Sequence, residues 1–263
     1  MMPEKETVQD DGVVETVIAE VKAANPVLVC GLPGSGYVGK LAADHLVSLF
    51  DAKKVAEYAC DSFPPQVNVK EDGTVEPIKA QVFYAPVGKG RSMLVFTADA
   101  QPTTSEGEYE LSDAVVDYAR RNGVKEVYTL AAYITGSFST EPKVYGAATS
   151  KRMLEAVSSK GATLMKGGGI SGMNGLMIGV AALRGLEGAC LLGETSGYLV
   201  DAAASKSVLE VLSKLVGFPI DTEKLKEKAE ETQKVINQLQ GMSEEAREAA
   251  AQPRRETRPG YIS

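Results

Sequence analysis

Short apolar runs alternate along most of the chain with segments whose apolar residues recur at helical spacing. Each apolar run is long enough for a strand, and turn residues separate it from the next segment. The predicted strands are Val13–Ala23, Val27–Cys30, Lys54–Cys60, Glu126–Ala132, Ala162–Met165 and Ala189–Leu192. The predicted helices are Val38–Leu49, Glu106–Arg121, Thr149–Lys160, Leu176–Leu186 and Ala202–Val216. This alternation predicts a layered α/β fold with a mostly parallel sheet and helices on both faces.

The pattern changes between Ser62 and Ala98, where no helical repeat occurs. Gln66–Lys70, Val75–Val87 and Ser92–Ala98 alternate between apolar and polar residues, and turns rich in glycine separate them. Alternating runs joined by such turns are typical of a β-meander rather than of a crossover helix. We therefore expect a β-meander insertion in the α/β core.

The same patterns divide the chain into four parts. Residues 1–12 are polar and acidic and predict a mobile end, while 13–23 suit a half-exposed edge strand at the start of the core domain. Residues 13–218 form the predicted α/β core domain, and 219–250 form a C-terminal helical extension. Residues 251–263 contain three arginines and two prolines and predict a flexible tail.

The helical extension carries a narrow apolar stripe among charged positions. Its residues are Leu225, Ala229, Ile236 and Leu239, spaced at helical intervals. A stripe of this kind needs an apolar partner. Two interpretations stay open: the helix pairs with a second copy in a homo-oligomer, or it folds back on its own domain.

Composition narrows the function classes. The 263-residue chain is 44% hydrophobic and can bury a sizeable core, and its net charge of −7 gives no general attraction to nucleic acid. No run of about 18 apolar residues is present, so we expect no membrane span. The first twelve residues lack the apolar segment of a signal peptide, and three isolated cysteines suit a reducing compartment, so we expect a cytoplasmic protein.

Candidate chemistry begins at the glycine-rich turn after Val27–Cys30. Gly31, Gly34, Gly36 and Gly39 lie within nine residues, and Gly34–Gly39 matches G-x-G-x-x-G, with Asp61 further on. Gly34–Lys40 also matches the P-loop pattern, but Leu41 stands where the magnesium-binding hydroxyl belongs. We favour a structural role, in which these glycines let the following helix approach the sheet, over a ligand loop.

A second glycine-rich turn precedes the predicted helix Leu176–Leu186. It contains Gly168, Gly169, Gly172, Asn174 and Gly175. Together with the first turn it would offer backbone N–H groups at helix starts, which is the arrangement that a phosphate-binding pocket uses. An enzyme acting on a nucleoside or small phosphorylated ligand is therefore the alternative function.

The sequence does not identify a nucleophile or a general base for such an enzyme. The sole histidine, His45, lies beside the core face of a predicted helix, and Gly169–Met173 misses the last glycine of a nucleophile elbow. Glu194 and Asp201 flank a loop and could act as a catalytic acid and base. Structural roles, as polar groups of the loop and as a helix cap, explain them equally well. No cluster has metal-ligand spacing, so we expect no metal and no cofactor.

Four blocks of residues lie at the ends of predicted strands. They are Gly31-Leu32-Pro33-Gly34 with Gly36 and Gly39, then Gln101-Pro102, then Gly168 to Leu176, and finally Leu192-Gly193-Glu194-Thr195 through Asp201. In combination, these blocks resemble the archaeal branch of the proteasome assembly chaperone family, from about Val27 to about Leu239. The glycine–asparagine block is the most specific of the four.

The resemblance implies a fold like that of nucleoside phosphorylases, a homo-oligomer, and binding to proteasome core α-subunits rather than catalysis. Some family members carry a C-terminal hydrophobic–tyrosine–any tripeptide that docks between core α-subunits. Here the final residues are Tyr261, Ile262 and Ser263, so the tyrosine is third from the end instead of second. The resemblance makes these three residues the candidate partner-binding segment.

Overall fold

The computed structural model describes residues 6–10, 12–21, 23–88 and 90–234. Its strands are β1 (Glu6–Asp10), β2 (Val13–Val17), β3 (Pro26–Gly31), β4 (Lys53–Cys60), β5 (Val67–Val69), β6 (Val75–Pro77), β7 (Ala80–Gly88), β8 (Arg91–Ala98), β9 (Glu126–Ile134), β10 (Val144–Ala148), β11 (Thr163–Leu164) and β12 (Glu187–Thr195). Its helices are α1 (Val38–Leu49), α2 (Ser105–Arg121), α3 (Lys151–Ser159), α4 (Met173–Leu183) and α5 (Ala202–Val216). Residues 223–234 are also helical, and a single 3-10 turn, Ser35–Tyr37, precedes α1.

Ten of these strands form one sheet, in the order β1-β2-β4-β7-β8-β3-β9-β12-β10-β11. Its centre is parallel: β3 pairs with β8 and β9, and β9 pairs with β12. The flanking strands on the β4 and β7 side are antiparallel, and so is β10 against β12. The α/β fold class that the sequence predicts is confirmed.

Two helical layers cover this sheet and bury its central strands. Every residue of β3 is buried, as expected for a strand covered on both faces. On one face, Leu111 of α2 and Met177 of α4 belong to one core cluster; on the other, Leu46 of α1 and Leu212 of α5 belong to a second. We call these the α2/α4 layer and the α1/α5 layer; α3 adds Met153 to the latter.

The predicted β-meander is partly built into the main sheet. β7 and β8 lie between β4 and β3, because β8 continues the apolar pattern of the parallel centre and is almost entirely buried. β5 and β6 form a separate two-stranded hairpin, on which Val67, Val69 and Val75 are exposed. The insertion is therefore this hairpin alone.

The N-terminal part differs from the predicted mobile end and edge strand. Glu6–Asp10 forms β1, which pairs antiparallel with β2, and β2 therefore has a neighbour on each side. A half-exposed pattern does not identify an edge strand, because side-chain exposure reports how well the faces of a strand are covered, whereas an edge is defined by missing backbone partners. Residues 1–5 and 11 lie outside the described part of the chain.

The C-terminal helical segment packs on the core at its start. Leu225 is buried with Phe218 and Ile220 in the cluster of the α1/α5 layer. Ala229, the next residue of the predicted stripe, is half-buried, and Ile236 and Leu239 lie outside the described residues. Among the described helices, none has both the length and the apolar character that crossing a membrane requires.

Candidate functional site

The carboxyl ends of the parallel strands, where α/β proteins usually bind ligands, bring both glycine-rich turns together. In the first turn, a side chain at Gly31 would place its Cβ 2.1 Å from the carbonyl oxygen of Gly39. A Cβ at Gly39 would lie 2.1 Å from the carbonyl oxygen of Leu130 in β9. Helix α1 therefore rests directly on the backbone of β3 and β9, and this contact explains two of the four glycines.

The other two glycines of this turn differ from one another. Gly36 has a φ of 62°, and a Cβ there would lie 2.8 Å from Thr195 Oγ1, so the position favours glycine on two grounds. Gly34 is extended, at φ −175°, and a Cβ there would lie no closer than 4.0 Å to Gln101 Nε2. The P-loop lysine, Lys40, bonds Asp44 on the next turn of α1, at 2.6 Å.

The second turn closes on itself at the start of α4. A Cβ at Gly175 would lie 2.2 Å from the carbonyl oxygen of Ile170, and Gly172, the residue before the helix, has a φ of 76°. Gly168 and Gly169 have open space around them. Asn174 is buried in the first turn of α4, and its Oδ1 has no hydrogen-bond partner among the described residues.

A single side chain, that of Gln101, joins the two turns. Its Oε1 accepts a hydrogen bond from the backbone N–H of Met173, at 3.0 Å, and its Nε2 donates to the carbonyl oxygen of Pro33, at 2.5 Å. The backbone N–H of Met173, which the start of α4 would otherwise offer to a phosphate, thus donates to a residue of the chain itself. Sequence reasoning did not assign this role, because a glutamine in a loop gives no local signal for a contact 72 residues away.

Asp201, one of the two candidate catalytic acids, is a buried helix cap. Its Oδ1 accepts from the N–H of Ala204 at 2.9 Å, and its Oδ2 accepts from Thr195 Oγ1 at 2.7 Å. Its own N–H donates to the carbonyl oxygen of Gly36, at 2.8 Å. Asp201 therefore binds the loop after β12 to the first glycine turn, and both of its carboxylate oxygens have protein partners.

The remaining candidate groups also have structural partners. Glu194 Oε2 accepts from the N–H of Lys143 at 3.2 Å, and His45 Nε2 lies 2.6 Å from the carbonyl oxygen of Asp221, to which it donates. Burial raises the pKa of the Cys190 thiol to about 12 and also raises that of Cys30. Both thiols stay protonated near neutral pH, so neither is a ready nucleophile. No group of three or more metal-binding side chains occurs in the described part of the chain.

Beside these turns lies an exposed apolar surface, which we call the carboxyl-edge patch. Its residues are Tyr37, Ile134, Tyr198, Leu199 and Val200, with exposed fractions between 48% and 85%. They are held together by the loop after β12: Gly197 lies against Ile134, and Asp201 bonds the backbone of Gly36, next to Tyr37. Clusters of exposed apolar residues of this kind mark protein interaction sites.

The sequence does carry a signal for this patch, outside the glycine-rich motifs. Tyr198, Leu199 and Val200 are three consecutive large apolar residues in a loop, between Gly197 and the helix cap Asp201. Loops are normally polar, and such a run is unfavourable unless it has a function. The position of this loop beside Ile134 and the first glycine turn depends on the sheet order and is not visible in the sequence.

A groove borders the loops that carry this patch. It encloses about 530 Å³ between the loop at Phe138–Glu141, the start of α5 and the 223–234 helix. Ala229 lines this groove together with Gln233 and Lys234, the last described residues. The predicted partner-binding residues Tyr261, Ile262 and Ser263 lie outside the described part of the chain.

Comparison with known proteins agrees with this geometry. The profile described as PAC2 family matches residues 28–240. An uncharacterized protein of Methanocaldococcus jannaschii is 41% identical over 240 residues, which is 90% of this chain and 92% of the relative. The crystal structure of Pyrococcus furiosus PbaB, described as an archaeal proteasome activator, superposes with a TM-score of 0.81 at 34% identity and covers 87% of this chain and 99% of that one.

A second structure from the same organism is also similar. Pyrococcus furiosus PbaA, described as an archaeal homolog of proteasome-assembly chaperone, superposes with a TM-score of 0.74 at 28% identity and covers 91% of this chain and 96% of that one. The profile match covers most of the chain, and the first-named relative is well above 30% identical. The chain therefore belongs to the PAC2 family, in the archaeal branch of the proteasome assembly chaperones.

Proposed function

We propose that this protein is a non-catalytic binding protein that forms a homo-oligomer and binds α-subunits of the proteasome core, assisting their assembly or activation. The observation that carries the proposal is the carboxyl-edge patch. At the place where an α/β enzyme would present polar groups to a ligand, this chain presents Tyr37, Ile134 and Tyr198 to solvent. The similarity to PbaB, a proteasome activator, and to PbaA, a homolog of proteasome-assembly chaperone, supports the proteasome as the partner.

The groups that would serve catalysis support the same proposal. Gln101 occupies the start of α4, Asp201 caps α5, and His45 bonds a backbone carbonyl on the α1/α5 side. Each of these polar groups thus holds backbone in place. An enzyme would need at least one acid, base or nucleophile with a free atom directed at a substrate.

The direct test is binding to the proteasome core, with immobilised assembled core and immobilised free α-subunits measured in parallel. We expect the wild-type protein to bind one or both. The double variant Tyr198→Asp/Leu199→Asp should bind at least tenfold more weakly, because two charges in an apolar contact lose their hydration. The matched control, Val67→Asp/Val69→Asp, makes the same change on the exposed face of the β5–β6 hairpin and should bind like wild type.

The C-terminal residues are tested in the same assay. A variant that lacks Tyr261 to Ser263 and the variant Tyr261→Ala should bind more weakly if the tyrosine docks despite its shifted register. Equal binding by both variants and wild type assigns the contact to the folded domain. If wild type binds neither the assembled core nor free α-subunits, the proposed function is wrong.

The alternative, an enzyme acting on a nucleoside or small phosphorylated ligand, has its own test. A thermal-shift screen with nucleosides, nucleotides and inorganic phosphate should leave the melting temperature unchanged. A ligand at about 100 times its dissociation constant would instead stabilise the fold by roughly 2.7 kcal/mol, which this assay detects. Such a shift would favour the enzyme.

A further inference from the structure

Helix α4 is apolar on its outer as well as its inner side. Its sequence, MNGLMIGVAAL, contains no charged residue, and its one strongly polar residue, Asn174, is buried. The inner side packs on the sheet through Met173 and Met177. The solvent side consists of Gly179, Ala182 and Leu183, of which Leu183 is 85% exposed. A helix that is hydrophobic all round is normally covered on every side.

Among the helices that the structure describes, none covers the sheet beside α4 on this face. In the α2/α4 layer, α2 contacts one flank of α4, and on the other flank a groove of about 500 Å³ separates α4 from β10. β11 pairs with only Tyr145 and Gly146 of β10, so the groove opens where that pairing stops, at Ala147 and Ala148. The same end of the sheet is covered on its opposite face by α3.

We call the groove-lining residues and the exposed residues of the helix the α4 face; none of them is charged, and the exposed Lys166 lies at its rim, between Met165 and Gly167. The groove is lined by alanine, glycine, threonine, methionine and isoleucine, including Ala148, Met165, Ile170 and Gly179. The nearest charged residue along α4 is Arg184, and its guanidinium bonds Asp113 and Asp117 of α2, on the flank away from the groove. The α4 face therefore offers a partner an apolar surface, with Lys166 and Arg184 at its margins.

We propose, building on the homo-oligomer of the proposed function, that the α4 face is the surface through which two copies of this chain associate. The face is self-complementary in shape, because it carries a projecting side chain, Leu183, next to a concave groove. Across a two-fold axis, Leu183 of each copy enters the groove of the other copy, and the contact is made twice. The small residues Gly179 and Ala182 allow the two α4 helices to approach closely.

Charge favours a second copy at this face and disfavours contact elsewhere. The chain has a net charge of −7, so two copies repel one another over most of their surfaces. The α4 face adds nothing to this repulsion, because it has no charge of either sign. It also lies in the α2/α4 layer, whereas the groove beside the last described residues is lined by α5, in the α1/α5 layer. Self-association thus leaves that groove accessible to another partner.

The test is the mass of the protein in solution, measured by light scattering after size-exclusion chromatography at several concentrations. We expect the wild type to be larger than a monomer. Leu183→Glu should shift the protein to a smaller species and raise the dissociation constant of the oligomer at least tenfold. The matched control Val69→Glu places the same charge on another exposed apolar residue and should keep the wild-type mass.

A second variant separates loss of assembly from loss of folding. Gly179 sits in the helix interior, and a Cβ there meets no atom within 4 Å, so Gly179→Leu improves helix propensity without a clash in the monomer. We expect it to unfold at the same or a higher urea concentration than wild type when both are monomeric, and yet to dissociate. Gly179→Cys should form a covalent dimer on mild oxidation, because residue 179 lies where the two α4 helices approach; the three native cysteines are buried and do not compete.

Three other outcomes would decide against this inference. A monomeric wild type, or an unchanged mass for both Leu183→Glu and Gly179→Leu, overturns it. Unchanged mass with lost binding to the proteasome core would assign the α4 face to the core instead. A variant that lacks residues 241–263 and becomes monomeric would assign association to that segment. Dissociation of Leu183→Glu in a protein that never binds the core would leave this inference standing while the proposed function fails.

Discussion

Gln101 holds the start of helix α4 through its side-chain carbonyl, which accepts a hydrogen bond from the backbone N–H of Met173 at 3.0 Å. The same amide donates to Pro33 at the other glycine turn, so one side chain satisfies backbone groups of two loops. This contact fixes the relative position of the two turns. At the start of α4, where an enzyme of this architecture would bind a ligand, the side chain of Gln101 is bound instead.

Replacing Gln101 should therefore weaken the fold. Gln101→Ala removes both hydrogen bonds and leaves a backbone N–H and a carbonyl without partners, at a cost of about 1–3 kcal/mol in the free energy of unfolding. Urea unfolding followed by circular dichroism measures this change. Gln66→Ala, at an exposed position just before β5, is the control and should lie within about 0.5 kcal/mol of wild type. Equal stability of the two variants would contradict the role given to Gln101.

The glycines of the first turn should differ sharply in tolerance. Gly39→Ala puts a methyl group against the carbonyl oxygen of Leu130, which forces α1 off the sheet and costs about 1–3 kcal/mol or more. Gly34→Ala meets no close atom in an extended backbone and should change stability by less than about 0.5 kcal/mol. The two variants are compared by urea midpoint and by soluble yield. A Gly39→Ala protein as stable as Gly34→Ala would show that α1 does not depend on close contact.

The P-loop-like sequence should bind no nucleoside triphosphate. Lys40 bonds Asp44 along α1, and Leu41 offers no hydroxyl to magnesium. Isothermal titration with Mg-ATP should give no binding heat. Lys40→Ala should lower stability by only about 0.3–0.5 kcal/mol, the contribution of an exposed pair on one helix. Tight ATP binding that depends on magnesium and disappears in Lys40→Ala would reverse this conclusion.

Stability should fall at alkaline pH. Burial raises the pKa values of the Cys30 and Cys190 thiols. The pKa of Tyr118 is raised to about 12, mainly by burial and to a smaller extent by the negative charge of Glu15. These groups stay protonated in the folded state, whereas the unfolded chain loses its thiol protons above roughly pH 8.5. The free energy of unfolding is therefore unaffected by these thiols below that pH. Above it, the free energy of unfolding declines by about 1.4 kcal/mol per pH unit for each thiol.

The Cys190→Ala variant provides the control for this pH dependence. Urea unfolding at pH 7.5, 9 and 10 should give a smaller decline for the variant, because one fewer thiol titrates in its unfolded state. Its stability at pH 7.5 will be lower than that of wild type, since a buried atom is lost. Parallel pH profiles for the two proteins would show that the Cys190 thiol does not remain protonated in the fold.

By itself, the sequence determined the fold class and most helices of this protein. The apolar run at Val27–Cys30 and the helical spacing from Val38 to Leu49 reflect local periodicity, which depends on burial and not on which partner provides it. The combined glycine blocks also indicated the family, because the close contacts at Gly31, Gly39 and Gly175 allow no side chain. Such requirements are imposed at single positions and therefore remain readable along the chain.

Only the tertiary structure decided which distant residues meet. Strand order brings Ile134 beside Gly197 and Gln101 beside Met173, and no local pattern specifies those pairs. The covering of a helix is likewise a tertiary property: α4 and α5 are both rich in apolar residues, yet Leu183 on the outer side of α4 is exposed in the part of the chain that the structure describes. Periodicity identifies a side chain that requires burial, whereas the sheet order and the layers determine whether its own chain can bury it.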